Sequence, residues 1–137
     1  MGVDIDSIKK SYGRCLVSHG GKKKFFDHFY EIFLASDPEV VAMFSQVDFA
    51  KQQVAIKRGI SMMIMYAENP DSMAESVLKG IRKSHSTDKL YVTARHYKIW
   101  EDCLVESLKE FDGEFSDELE ANWRNLVQET VSYLLPA

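Results

Sequence analysis

Apolar residues recur every three to four positions along most of this chain, and no stretch alternates apolar with polar residues over the length of a strand. That periodicity constrains the fold more than any other feature. Segments that each carry one apolar stripe bury those stripes by packing helix on helix, so the expected class is all-α. The interruptions are short. Gly20-Gly21, Asp37-Pro38, Asn69-Pro70 and Asp112-Gly113 break the pattern with residue types that stop helices. No internal repeat or low-complexity tract occurs.

The spacing predicts a first helix over 4–18, capped by Asp4 or Asp6, with Ile5, Ile8, Tyr12, Cys15 and Leu16 on its apolar stripe. A second, over 22–35, presents a wide aromatic face of Phe25, Phe26, Phe29, Tyr30 and Phe33. Pro38 opens a short helical piece over 39–44. Asp48 caps a helix that reaches Glu68, with Phe49, Ile56, Ile60, Met63 and Ala67 on its stripe. Gln52 and Gln53 lie on either flank of that stripe, each about 50° from its centre. Ser72 and Glu75 form a capping box for a helix ending around 83–86. The last two run over 93–111, with Tyr97, Trp100, Leu104 and Leu108, and from a Ser116 cap towards Pro136, with Leu119, Trp123, Leu126, Val127 and Thr130. Six long helices with a short corner piece suit one domain of 137 residues, and a chain of that length forms a core without a covalent staple.

The acidic balance, net −4 with both signs interspersed, argues against a nucleic-acid footprint. The apolar run 60–67 is far too short for a membrane span, and the first ten residues lack the apolar segment of a signal peptide. Cys15 and Cys103 show neither metal-ligand spacing nor a disulfide framework. A cytoplasmic protein is the expectation, as a monomer or homodimer. The basic run 22–24 reads as a solvated helix face.

The feature that asks for a chemical reason is His85. It continues the stripe of Met73, Val77, Leu78 and Ile81 into the last turn of its helix. One imidazole there is more often a helix cap, where a cation interacts well with the dipole, or a satisfied core residue, and it also suits the single proximal ligand of a haem iron between apolar helices.

Neighbouring stretches carry a resemblance that bears on this choice. Phe29-Tyr30-Glu31-Ile32-Phe33, followed by the stretch from Asp37-Pro38 to Phe44, resembles the B helix and C corner of bacterial globins of the flavohaemoglobin and single-domain type. Lys83-Ser84-His85, then Arg95-His96-Tyr97, is similar to their passage from the F to the G helix. The likeness runs from about Ser7 to Tyr133.

The resemblance implies a globin fold around haem b, with His85 as the iron ligand and Phe44 packed on the macrocycle. Tyr30 is then the distal hydrogen-bond donor. Gln52 is the second distal group, with Gln53 the alternative, because Ile56 stands four positions after Gln52 where the family has an apolar residue, while Lys57 stands four after Gln53. Tyr66, Leu78, Leu90, Val92, Tyr97, Trp100 and Leu104 line the wall, although helical spacing makes most of them equally good core residues. His19, His28 and His96 read as surface residues.

The chain departs from the family in three places. The interval from Phe44 to Gln52 is short, that from His85 to Tyr97 is long, and Glu129 is the sole late carboxylate in the last helix. The implied function is reversible binding of O2, with NO and CO as further diatomic ligands, at a pentacoordinate or weakly hexacoordinate iron. The alternatives are an NO dioxygenase served by an external reductase, a haem-based gas sensor, and a haem-free interaction module.

Overall fold

The structure, a computed structural model, describes residues 4–43, 48–69, 76, 78–80, 83 and 93–134, without the side chains of Lys22, Lys23, Phe49, Gln52, Ala55 and Leu134. Among the described residues the chain is helical and holds no strand. Helix α1 spans Ile5–Val17, α2 Lys22–Leu34, α3 Pro38–Met43, α4 Phe49–Glu68, α5 Ala94–Phe111 and α6 Asp117–Leu134. Ser76, Leu78, Lys79, Gly80 and Lys83 are also helical, within the expected helix that ends around 83–86.

The helix ends follow local chemistry. Asp4 caps α1 by accepting from the Ser7 N–H at 3.3 Å and from the Ser7 hydroxyl at 2.7 Å. The same residue is tied to α6 in both directions, since its N–H donates to Asn122 Oδ1 and Asn122 Nδ2 donates to its carbonyl, each at 2.8 Å. Asp48 caps α4 through the Ala50 N–H at 2.9 Å. Helix α3 starts at Pro38 itself, one residue before the expected start, because a ring-fixed φ and a missing N–H suit the first helical position. Between α1 and α2 the backbone turns through three left-handed residues, His19, Gly20 and Gly21, at φ 51°, 103° and 97°. At Gly20 an added Cβ would also meet the Lys24 side chain at 3.1 Å.

His96 is not the surface residue expected. Its side chain is 11% exposed. It occupies the third position of α5 and closes a capping box, with the Thr93 N–H donating to Nδ1 at 3.1 Å while Thr93 Oγ1 accepts from the His96 N–H. His28, also expected at the surface, is half-buried with its ring beside Phe111, whereas His19 is exposed as expected.

Most buried side chains form one core that joins α1, α2, α4, α5 and α6. Trp123, Phe25, Phe29, Ile8, Ile60 and Leu104 are fully enclosed in it, and each such side chain contributes about 1.5–3 kcal/mol through loss of contact with water. A polar chain runs through this core. Trp123 Nε1 donates to the Ser11 hydroxyl at 3.0 Å, Ser11 donates to Asp112 Oδ2 at 2.6 Å, and Arg14 meets the same carboxylate through Nε at 2.5 Å and Nη2 at 3.0 Å. Burial acts to raise the Asp112 pKa, but the bonds from Arg14 and Ser11 and the Glu114 N–H outweigh it and hold the carboxyl below its usual range. A second knot joins α5 to α6, where Arg124 reaches Glu101 at 2.7 Å, Asp102 at 2.9 Å and Glu120 at 3.0 Å. Against these satisfied groups stands Tyr12. Its buried hydroxyl has no hydrogen-bond partner among the described residues, and burial pushes its pKa up to about 12.

Candidate functional site

Helix α2 sets the first wall. Its residues at positions 26, 29, 30 and 33 point one way because they recur at helical spacing, and all four are buried. Phe29 stacks on Phe33 at 5.4 Å and meets the Tyr30 ring edge-on at 5.4 Å and the Trp100 ring at 5.8 Å. Tyr30 is 6% exposed. Burial raises its pKa well above the ordinary phenol value, so the group is a neutral donor across the physiological range. Ile56 and Ile60 of α4 and Leu104 of α5 belong to the same cluster.

Among the described residues a second, smaller cluster adjoins the first through Val131. Leu78 and Tyr97 are its buried members, and Tyr66, Val131 and Tyr133 pack against them. Tyr66 and Tyr133 rings lie 5.6 Å apart. Burial pushes the Tyr97 pKa up to about 12. Val131, on α6, packs against both clusters. The residues expected around one pocket therefore fall into two groups, Tyr30, Ile56, Trp100 and Leu104 in one and Leu78, Tyr97 and Tyr66 in the other. Val131 and Tyr133 were not anticipated. The sign for them was available, since Val127, Val131 and Leu134 continue one stripe of the last helix.

His85, Phe44, Leu90 and Val92 lie outside the described residues, as does the side chain of Gln52. Gln53 is described. Its Nε2 donates to Asp27 Oδ1 at 2.6 Å, so its amide is engaged on the solvent side of α2. Glu129 is exposed. Among the described residues no group of three or more His, Cys, Asp or Glu is placed to hold a metal ion, and no helix is long and apolar enough to cross a membrane. An open groove of about 430 Å³ on α4, lined by Ala50, Lys51, Val54 and Arg58, includes exposed Val54 and shares no residue with either cluster.

Among the described residues, then, a buried phenol stands in the phenylalanine face of α2, and Leu78 and Tyr97 form a second buried group. The globin family profile matches residues 9–134, and the chain belongs to that family. The crystal structure of a Pseudomonas aeruginosa protein, described as structurally highly homologous to a human hemoglobin, is similar at 33% identity with a TM-score of 0.84, covering 95% of this chain and 94% of that one. A Pseudomonas aeruginosa flavohemoprotein is 29% identical over 121 residues, which are 85% of this chain. The chain spans 30% of that relative's length.

The family implies a haem cofactor, and the residues present fit one. Apolar walls suit the faces of a macrocycle, and the Tyr30 hydroxyl supplies one polar donor among aromatic rings. An ionised or strongly solvated group in its place would not suit a neutral, poorly hydrated ligand.

Proposed function

We propose that this globin holds haem b through His85 and binds O2 reversibly, with NO and CO as further ligands. The haem, when bound, supplies an iron with one coordination position open to a diatomic molecule. The chain's own residues supply the rest. His85 holds the iron from the proximal side, and Phe44, Leu78, Leu90, Val92 and Tyr97 pack the macrocycle.

Tyr30 donates to the ligand. The observation that carries this reading is the burial of this residue among Phe26, Phe29 and Phe33 together with the raised pKa. A phenol that stays protonated in an apolar wall is a donor, and O2 held by the haem would carry partial negative charge and accept. Gln52 is the second distal group and Ile56 limits the space beside it. Gln53 is committed to Asp27, which favours Gln52 of the two.

Absorption spectra of the ferric, ferrous and O2-equilibrated protein test the proposal. A Soret band that survives desalting, with an O2 form that reverts on evacuation, is the expected result. A desalted protein without that band would end it and favour the haem-free module.

A second reading has one observation behind it, the likeness to a flavohemoprotein. In it, NO and O2 with one electron yield nitrate, and the electron comes from a separate reductase. Stopped-flow addition of NO to the O2 form, with nitrate measured over repeated cycles in the presence of a reductant, separates turnover from binding.

A further inference from the structure

The hydrogen bond between Gln53 and Asp27 sits where it bears on the site. Asp27 precedes Tyr30 by three residues on α2, and Gln53 precedes Ile56 by three on α4. Each bonded residue is thus about one turn from the pocket residue on its own helix. The amide of Gln53 donates to the Asp27 carboxyl oxygen at 2.6 Å, at the short end for an N–H···O bond. Apart from α1, which both meet, the two helices are anchored to different partners. Helix α4 packs on α6, and α2 packs on α3 and α5.

Gln53 lies on the flank of α4's apolar stripe and its amide reaches Asp27 of α2 at the surface. The bond is consistent with the rotation of α4 that the buried Ile56, Ile60 and Met63 define. With position 53 aimed at α2, position 56 falls on the core side, where Ile56 is 6% exposed, and position 52 lies on the opposite flank from 53.

From this placement we infer that Asp27 and Gln53 form a latch that sets the spacing and rotation of the tyrosine-bearing helix against the isoleucine-bearing helix, and so governs how fast a diatomic ligand leaves. Both are positioning residues that touch no ligand. The inference rests on the haem-binding reading given above. With the latch closed, the Tyr30 hydroxyl and Ile56 stand at a fixed separation around the ligand. With it open, α4 turns or moves away from α2, the donor distance grows and the escape path widens.

The test exchanges donor and acceptor. Gln53→Glu puts two carboxylates against each other and opens the latch. Combining it with Asp27→Asn restores the bond, because the new amide at 27 donates to the new carboxylate at 53. Three measurements are made on wild type, Gln53→Glu, Asp27→Asn and the double variant. They are the O2 dissociation rate, the C–O stretching frequency of the carbon monoxide form, and the thermal unfolding of the haem-free protein. O2 release is expected to be about three- to tenfold faster in Gln53→Glu, with a C–O band moved to higher frequency as the Tyr30 bond weakens. The double variant is expected within about twofold of wild type in rate and with the original band.

A merely structural bond would lower the unfolding temperature without moving the C–O band, and that result overturns the latch. Failure of the double variant to recover overturns it as well. If wild-type protein retains no Soret band, the haem reading falls and the latch's role with it. If it retains the band while all four proteins release O2 at one rate, the latch alone is wrong.

Discussion

Trp123 and Leu78 are both almost completely buried, and their surroundings differ. Trp123 sits where α1, α5 and α6 meet, and its indole N–H opens a chain of bonds through Ser11 and Asp112 to Arg14. Leu78 has one buried companion, Tyr97, and partly buried neighbours in Tyr66, Val131 and Tyr133. The first region is closed by the chain itself, with its polar groups paired in the interior. The second, among the described residues, gathers side chains of α4, α5 and α6 around Leu78. Tyr30, the proposed donor, belongs to the first region.

The largest expected effect falls on the second region's helix. His85→Ala is expected to lose the haem entirely on desalting, read as loss of the Soret band, while far-ultraviolet circular dichroism keeps most of the helical signal because the large core stands without it. Retention of normal haem by that variant would break the iron assignment. Trp123→Ala is expected to cost about 3–5 kcal/mol and Leu78→Ala about 2–5 kcal/mol in denaturant unfolding, since both side chains are fully buried. A cost near zero for Leu78→Ala would show that its cluster adds nothing to the folded core.

Tyr30→Phe tests the first region. Loss of one bond to a partly charged acceptor, about 1.5–3 kcal/mol, is expected to speed O2 release about 10- to 100-fold in stopped flow, with unfolding changed little. An unchanged rate would mean that the hydroxyl serves another partner.

Asp112 offers a pH handle in the same region. Its folded pKa lies below the ordinary carboxylate value. The stability it contributes is therefore present above about pH 4, the unfolded value, and is lost as pH falls through the lower folded value. Asp112→Asn is expected to cost about 1–3 kcal/mol at neutral pH and to flatten the acid side of a stability-against-pH curve. Tyr12→Phe should have the smallest effect, zero or a gain of up to about 1 kcal/mol, because the hydroxyl it removes has no partner among the described residues. A loss above that size would reveal a bond made in solution.

The helices could be read from the sequence because their ends depend on neighbours. Asp4, Asp48 and Ser116 cap their helices where periodicity and side-chain chemistry predict. The aromatic face of α2 was legible for the same reason. Contacts between distant residues were not. Ser11 reads as a polar position on an apolar stripe until Asp112 and Trp123, about a hundred positions later, arrive to satisfy it. His96 misled because the third helical position is normally closed by Glu or Gln, and an imidazole doing that work looks like an exposed charge. The two glutamines of α4 are symmetric about their stripe, so periodicity could not rank them. A partner on another helix, Asp27, which bonds Gln53, is not visible to such a pattern.

The bonds between the first helix and the last third of the chain also impose an order on synthesis. Asp4 finds Asn122, Ser11 finds Trp123 and Arg14 finds Asp112 across 118, 112 and 98 positions. A polypeptide emerging from the ribosome has its N-terminal helix in water, with those polar groups waiting, until its last two helices follow. Closing loops that long is slow, and the aromatic face of α2 stays uncovered in the meantime. Variants that slow the docking of α6 are therefore expected to show themselves first as poor yield in the cell, before any change in ligand chemistry is measurable.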